Sequence, residues 1–374
     1  MKKYTYLIYT GIIVILLSSY LPCIPNSWYS QYLILLFFIY LLPILILWRF
    51  NKFLSIFIGV CLYSTFFVSK ISPRAVILLI QFEALSLISY GISKLKKEYR
   101  KIIVHAFIIT FIFQCFLLTL QFFNKDFLFN SLLNPSKDVT VGFMGSLGQM
   151  GILQSILSPF VMPYGILLSA LTVSLSHSFF AFIAFMLSSL VLVYFNYKNL
   201  FILFLILTLI GGFFYYIRID NPSWFQFALR INVWKHSIKS VLKGKIETTR
   251  GMFKCNPLFG YGFGNFLTIF PYVPEQGGFN AADEKFNHAH NDYIEHGMFE
   301  MGIIGIIVLL SLVLTIIVGF IRSKKDPELV VYFSSIFAYM ICAGGYFVSQ
   351  MAVPGFYLAV IYGMYEGVRG ELNG

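Results

Sequence analysis

The chain has 374 residues, of which 58% are hydrophobic and only 11% are charged. This composition excludes an ordinary soluble globular domain and is typical of a polytopic membrane protein. The apolar runs are long and lack the alternation of strands, so we expect an all-α bundle, because helices satisfy their own backbone hydrogen bonds in lipid. In such a protein the net charge of +11 indicates positive cytoplasmic loops and membrane-lipid or phosphate partners, and we expect no nucleic acid.

Eleven apolar runs approach the roughly 20 residues that a helix needs to cross a bilayer. In chain order they lie at residues 4–21, 28–48, 53–69, 73–91, 102–123, 149–176, 178–196, 199–217, 298–321, 330–348 and 351–367. If positive charge stays in the cytoplasm, the segments SKLKKEYRK (93–101) and RSKK (322–325) belong on the same side. Eleven crossings place them on opposite sides, so one more crossing is needed.

The run at 149–176 offers the missing crossing, because Pro159, Pro163 and Gly165 interrupt it and proline removes a helical hydrogen bond. We therefore predict two short or re-entrant helices there. The total becomes about twelve spans, with both termini in the cytoplasm. One long kinked helix, and eleven spans, is the alternative.

This topology predicts an N-terminal bundle (1–217), a large outer loop (218–297) and C-terminal helices (298–374). Within the loop, residues 223–243 predict an amphipathic helix at the membrane interface, because apolar residues recur at helical spacing. These residues are Trp224, Phe227, Ile231, Trp234, Ile238, Val241 and Leu242. The loop is basic although the topology places it outside, which a long translocated loop permits.

The basic residues of this helix have two interpretations. Lys239, Lys243 and Lys245 are expected to hold anionic lipid headgroups. Arg230 lies at the edge of the apolar stripe, one turn from Trp234, where a planar guanidinium suits bidentate binding of a diphosphate.

A glycine-rich turn, NPLFGYGFGNF at 256–266, follows the amphipathic helix. Its glycines could present backbone amides to a phosphate, since glycine permits close approach of the backbone. A simple loop that reverses the chain is the other interpretation. No strand precedes the turn in the predicted elements, so a dinucleotide-binding motif is excluded.

A polar run at 286–305, FNHAHNDYIEHGMFEMGIIG, leads directly into an apolar span and is the first candidate for chemistry, because polar groups are costly beside lipid. Its polar residues allow a zinc site, capping of the next helix by Asn291 or Asp292 with Glu295, or acid–base catalysis by histidine. The residues concerned are His288, His290, Asn291, Asp292, Glu295 and His296. The five cysteines are scattered and show no metal-binding spacing.

Glu83 lies within the fourth apolar run and is expected to face the interior of the bundle. It is either protonated or paired with a basic residue such as Arg74. The sequence leaves both open.

Three of these features, taken in order, resemble the O-antigen ligase and polymerase superfamily. They are Arg230 with Trp234, the turn at 256–266, and His290–Asn291 followed by Glu300, Gly302 and Gly305. In that family an R-x-x-x-W helix, a P-x-x-G-x-G-x-G-x-F turn and an H-N-x-x-[LI]-x(5)-E-x-G-x-x-G segment occupy the large periplasmic loop and the start of the next span. The resemblance covers residues 228–305.

The resemblance implies a GT-C-like membrane enzyme that moves a glycan from undecaprenyl diphosphate to an acceptor hydroxyl with inversion, without metal, cofactor or nucleotide sugar. It implies that His290 is the general base and that Arg230 binds the diphosphate. His177 stands where an arginine is common in the family, and Arg218 or Arg74 would then supply the phosphate contact. The substrate-binding residues that we expect on this basis are Arg218, Trp234, His177, Asn291, His288, Glu295 and Arg74.

We therefore expect an O-antigen ligase-like glycosyltransferase of the bacterial inner membrane, acting on the periplasmic side in the assembly of surface polysaccharide or lipopolysaccharide. A polymerase of the same superfamily is the alternative within the class. The acceptor is a lipid or a glycan; a protein acceptor is less expected because the chain lacks room for an extra domain. Outside the class, the alternatives are a transporter of lipid-linked glycan and a sensor without catalysis.

Overall fold

The structure is a computed structural model, and it describes residues 40–69, 72–122, 147–175, 178–202, 204–206, 222–273, 288–324, 326–345 and 352–373. The chain is mostly helical in these ranges. The α-helices, in order, are α1 (Tyr40–Phe50), α2 (Lys52–Tyr63), α3 (Pro73–Ser93), α4 (Lys97–Phe122), α5 (Leu147–Leu157), α6 (Ile166–Leu175), α7 (Phe179–Asn196), α8 (Pro222–Leu242), α9 (Phe266–Ile269), α10 (Gly302–Ser323), α11 (Pro327–Ala343) and α12 (Ala352–Asn373).

Several short elements join or extend these helices. An antiparallel hairpin is formed by β1 (Lys245–Thr248) and β2 (Gly251–Lys254). The expectation that no strand precedes the glycine-rich turn is therefore wrong. The π-helical segments are Ser64–Val68, which extends α2, and Tyr293–Glu300, which precedes α10. The 3-10 turns are Ser158–Phe160, Lys198–Leu200 and Phe270–Tyr272.

Four described helices, α3, α4, α7 and α10, are long and apolar enough to cross a membrane. Helices α1, α2 with its π-helical extension, and α11 are also apolar but shorter. The helical, membrane-type fold expected from the composition is thus seen in the described part of the chain. The total of about twelve spans and the cytoplasmic termini stay predictions, since the first expected span, at 4–21, lies outside the described residues.

The predicted interruption at 149–176 is confirmed as two short helices. Helix α5 ends at Leu157, a 3-10 turn follows at Ser158–Phe160, and α6 begins at Ile166. Gly165 packs against Val161 so closely that an added Cβ would lie 2.7 Å from Cγ2 of that side chain. Whether these helices cross the membrane separately stays a prediction.

The chain forms two compact units, and it passes from one to the other within α3, α8 and α10 and at both ends of Ala289–Asp292. The first unit contains the described residues of Met1–Leu87, Lys235–His288 and Tyr293–Leu312; the second contains those of Ile88–Trp234, Ala289–Asp292 and Val313–Gly374. Residues of the predicted loop 218–297 therefore contribute to both units.

In the second unit α7 packs against α5 and α11, and α11 packs against α12. Fully buried serines on α7 and α11 let these helices approach closely, as small residues do in membrane proteins. The Ser155 hydroxyl donates to the Ala181 carbonyl at 2.7 Å, joining α5 to α7. The buried Arg100 of α4 holds α12 through a two-pronged pair with Glu371, at 2.8 and 2.6 Å.

The helix predicted at 223–243 is present as α8, and the sequence did not predict which of its faces packs against protein. The residues buried along the described part of its surface are Val233, Ser237, Ser240 and Val241. Ile231, Trp234 and Ile238 are half-buried, and Leu242 is 58% exposed. Small serines were not recognised as a packing face because hydrophobic periodicity ignores them. The side chains of Trp224 and Phe227 lie outside the described residues.

Candidate active site

Residues Ala289–Asp292, in the second unit, are anchored on both sides of His290. The indole nitrogen of Trp234, on α8, donates to the Ala289 carbonyl oxygen at 2.6 Å. The side-chain amide of Asn291 donates to the Gly344 carbonyl oxygen at 2.8 Å. The two residues that flank His290 in the sequence are therefore tied to α8 and to the end of α11.

Arg230 reaches the same end of α11. Its Nη1 donates to the Gly345 carbonyl oxygen at 3.2 Å, one residue beyond the oxygen that Asn291 binds. The last carbonyls of a helix lack intrahelical donors and carry partial negative charge, so a guanidinium is favoured there. Gly345 itself lies against the ring of Phe180, where any side chain would collide.

His290 is the only residue other than glycine that adopts a positive φ in the described part of the chain, at 52°. This left-handed conformation is uncommon for residues with a Cβ, although histidine, asparagine and aspartate tolerate it better than most. Such conformations persist where the surroundings fix them, and they cluster at functional sites. Here the contacts of Ala289 and Asn291 hold the backbone on either side.

The structure thus brings Arg230, Trp234, His290 and Asn291 into one local arrangement of the second unit; their roles stay predictions. The sequence did not predict that Arg230 and Asn291 both bind carbonyl oxygens at the end of α11. The adjacent glycines Gly344 and Gly345 directly after an apolar helix were the signal for it, because glycine commonly follows a helix and permits close approach.

Two histidine–carboxylate pairs lie in the first unit. His288 Nδ1 is 3.1 Å from Glu295 Oε1, with the Glu295 side chain almost fully buried. His296 Nδ1 is 2.7 Å from Oε2 of Glu300, which lies four residues later in the sequence, and both side chains are buried. The His296 ring also lies 5.6 Å from the rings of Phe82 and Phe263. The first pair is accessible from solvent through His288, whereas the second is a core pair.

Glu300 connects the glycine-rich turn to the start of α10. Its Oε1 accepts a hydrogen bond from the Phe266 amide at 3.1 Å, while Oε2 binds His296. Its backbone carbonyl accepts from the Gly262 amide at 2.9 Å, and the Phe299 carbonyl accepts from the Tyr261 amide at 3.0 Å. The Glu300 carboxylate and the backbone carbonyls of Phe299 and Glu300 together hold the glycine-rich turn.

The glycines of this turn make room for neighbouring backbone. Gly262 has φ 99°, and an added Cβ would lie 2.6 Å from the Cα of Ser69. A Cβ at Gly260 would lie 2.5 Å from the Phe299 carbonyl oxygen. The amides of Tyr261 and Gly262 bind carbonyls, and that of Phe263 binds the Ser64 hydroxyl at 2.8 Å. The idea that these three amides are presented to a phosphate is therefore wrong, because they are used inside the protein.

Glu83 faces the interior of the first unit, as predicted, and is only 6% exposed. It lies close enough to the Tyr40 hydroxyl and the Cys61 thiol to interact electrostatically with both. Its Oε1 has no hydrogen-bond partner among the described residues. Pairing with Arg74 stays a prediction. Arg74 is half-buried in the first turn of α3.

Two predicted site residues, His177 and Arg218, lie outside the described residues. Among the residues that the structure does describe, no three histidine, cysteine or carboxylate side chains come together in a group that could hold a metal ion.

No protein-family model matches the chain, and neither does any curated protein.

Proposed function

We propose that this protein is a membrane glycosyltransferase that moves a glycan from undecaprenyl diphosphate to an acceptor hydroxyl. The observation that carries the proposal is the anchored, left-handed His290, flanked by contacts from Trp234 and Asn291 and sharing the end of α11 with Arg230. A strained residue that is fixed from both sides, in a polar segment beside a membrane helix, is well suited to chemistry.

His290 acts as the general base. Neutral imidazole accepts a proton near physiological pH, and fixing its backbone limits the positions that the ring can occupy. The His290 side chain is half-buried, and its exposed part would meet the acceptor hydroxyl. The anchoring hydrogen bonds to Ala289 and from Asn291 are made by groups other than the imidazole.

Arg230 supplies positive charge for the diphosphate. A guanidinium matches phosphate oxygens and is fixed here by the end of α11. The diphosphate gains charge as it departs, so a positioned cation stabilises the transition state more than the ground state. His177 stands where the family has an arginine, and the resemblance implies that Arg218 or Arg74 would supply that phosphate contact.

In the proposed step the acceptor oxygen attacks the anomeric carbon of the sugar attached to the diphosphate. The new carbon–oxygen bond forms as the bond from that carbon to the diphosphate oxygen breaks. The hydroxyl proton passes to the His290 imidazole, and the lipid diphosphate leaves with the bonding electrons. A single displacement of this kind inverts the anomeric centre.

The resemblance implies a reaction on the periplasmic side of the bacterial inner membrane, and it is shared by ligases and polymerases, of which we take the ligase first and the polymerase as the alternative. The two differ in acceptor: a lipid or glycan other than the donor for a ligase, a second lipid-linked repeat for a polymerase. A protein acceptor is a third, less expected possibility within the same chemistry.

The direct experiment combines purified protein in detergent, undecaprenyl diphosphate-linked glycan and candidate acceptors, in the presence of EDTA. We expect a new glycosidic product, as a single block for a ligase or a ladder for a polymerase. Arg230→Ala should lower the rate at saturating donor, and Arg230→Lys should restore part of it, since lysine keeps the charge without the fork. No product with any acceptor would contradict the proposal.

A transporter of lipid-linked glycan is the second candidate, favoured by one observation. Glu83 is a buried carboxyl on a helix long enough to span a membrane, and such groups often mark ion or proton pathways. Movement of the donor across proteoliposomes without a new glycosidic bond would select this function. Loss of that movement in Glu83→Gln would support it further.

A further inference from the structure

The second half of α8 has three distinct faces within the first unit. Ser237, Ser240 and Val241 are buried against the protein. Ile238 and Leu242 lie one turn apart and form an apolar face, in which Ile238 is half-buried and Leu242 is exposed. A third face carries exposed lysines at intervals of four residues: Lys235, Lys239 and Lys243.

The hairpin continues the lysine face. Strand β1 begins two residues after Lys243, through Gly244 at φ 67°. The Cys255 amide donates to the Gly244 carbonyl at 2.9 Å, which ties the far end of the hairpin to the end of the helix. Lys245 and Lys254 are therefore held beside Lys243, and we call the five exposed residues Lys235, Lys239, Lys243, Lys245 and Lys254 the basic surface.

Lys245 and Lys254 are direct partners across the two strands. Directly opposed residues of an antiparallel pair point to the same face, and like charges in this position are destabilising. Within the described part of the chain, no ion pair joins any residue of the basic surface to a carboxylate. A nearby anion would relieve the repulsion.

Helix electrostatics accounts for only part of this arrangement. Lys239 lies in the last turn of α8 and Lys243 just beyond it, where cations are favoured by the partial negative charge of the helix end. That explanation does not extend to Lys245 and Lys254 on the hairpin. It also does not explain why an apolar face runs alongside the lysines.

We propose that the basic surface binds the headgroups of acidic phospholipids while Ile238 and Leu242 enter the adjoining acyl region. An apolar face beside a basic face, both on a helix whose third face packs on protein, is the arrangement of a helix lying in a membrane interface. Each lysine near an anionic surface adds to the attraction. The inference does not rest on glycan transfer and holds for any function of the chain.

Met252 provides a local reporter for this surface. It lies on the same face of the hairpin as Lys254, opposite Glu247, and its side chain is 51% exposed. The full-length protein would be placed in phosphatidylcholine nanodiscs containing phosphatidylglycerol with a spin-labelled headgroup. Paramagnetic broadening of the Met252 methyl NMR signal then measures the proximity of the acidic headgroup.

We expect broadening in the parent protein, and its loss by severalfold in a variant with Lys239→Gln, Lys243→Gln, Lys245→Gln and Lys254→Gln. Arginine at the same four positions keeps the charge and should keep the broadening. Because all four side chains are exposed, neither variant should unfold. Raising the salt concentration should reduce the broadening in the parent.

Three outcomes would overturn the proposal. Equal broadening in the glutamine variant would show that charge plays no part. Absence of broadening in the parent would show that acidic lipid does not reach the hairpin. A Met252 shift caused by soluble inorganic polyphosphate, with no response to the spin-labelled lipid, would assign the surface to an anionic polymer instead.

Discussion

The indole nitrogen of Trp234 lies 2.6 Å from the carbonyl oxygen of Ala289, the residue directly before His290. This short hydrogen bond joins α8 to the strained segment and fixes the backbone from which the imidazole projects. Under the proposed function Trp234 would act as a positioning residue, because this hydrogen bond is with the protein and its effect on transfer would pass through His290.

Trp234→Phe tests this role. The ring is largely kept but the donor to Ala289 is lost, which should weaken the anchoring by about 1 kcal/mol. If this stabilisation is lost in the transition state but not in the ground state, kcat for transfer falls roughly fivefold while KM for the donor changes little. Steady-state kinetics with a defined acceptor measures the split.

Trp48→Phe is the matched control, since Trp48 is 48% exposed on α1. Its kinetics should equal those of the parent. A rise in KM alone for Trp234→Phe, with kcat unchanged, would mean that the indole contributes to substrate binding and does not position the base.

Glu300 is predicted to be a structural residue. In Glu300→Ala the buried Phe266 amide loses its side-chain acceptor and His296 loses its carboxylate partner, which should lower the free energy of unfolding by about 2–4 kcal/mol. Glu300→Gln keeps an acceptor oxygen and should lose less. Thermal unfolding in detergent compares the two.

Glu98→Ala, at an exposed position of α4, is the control for removing a carboxylate and should change stability by less than about 0.5 kcal/mol. If Glu300→Ala were as stable as this control but inactive, Glu300 would belong to the chemistry instead of the scaffold.

Gly262→Ala should be strongly destabilising. The residue has φ 99°, and the new Cβ would lie 2.6 Å from the Cα of Ser69. Conformational strain and overpacking together should cost about 2–5 kcal/mol. The midpoint of thermal unfolding and the yield of folded protein report the effect.

Gly59→Ala is the opposite case, because nothing lies within 4 Å of the added methyl group and the residue is inside α2. It should be neutral or slightly stabilising. Similar stabilities of the two variants would contradict the close packing of the glycine-rich turn.

His236 predicts a pH dependence of stability. Burial, and then the charges of Lys239 and Lys243, lower the pKa of His236 below its ordinary value of 6.5. The unfolded chain therefore takes up this proton at a higher pH than the folded protein does. The destabilisation caused by protonation of His236 is absent well above about pH 6.5 and grows as the pH falls below that value.

We expect the thermal midpoint of the parent to fall more steeply between about pH 7.5 and about pH 5.5 than that of His236→Gln. Carboxylates titrate in both proteins, so the difference between the two slopes isolates the histidine. Equal slopes would show that the folded protein binds this proton as readily as the unfolded chain.

Features that depend on local pattern were predictable from the sequence. Pro159 and Pro163 marked the break between α5 and α6, the apolar spacing marked α8, and the polar run marked the segment around His290. Each of these rests on residues that are close in the chain, so periodicity and proline chemistry suffice.

Features that depend on distant partners were not predictable. The glycines of the turn are needed because Ser69 and Phe299 approach them, and neither residue is near them in the sequence. The positive φ of His290 has no local signature, and the hydrogen bond from Asn291 to Gly344 joins residues that are 53 positions apart. The serine face of α8 was missed because serine is not counted as a packing residue.

The central claim, that His290 is the base of a glycan transfer, is tested most directly by His290→Asn in the purified transfer assay. Asparagine tolerates the left-handed conformation but does not accept a proton at neutral pH, so the segment should stay folded. We predict that kcat falls by about 100-fold or more, while His105→Asn, at an exposed position of α4, retains the parent rate. A His290→Asn protein that transfers glycan at the parent rate would contradict the account.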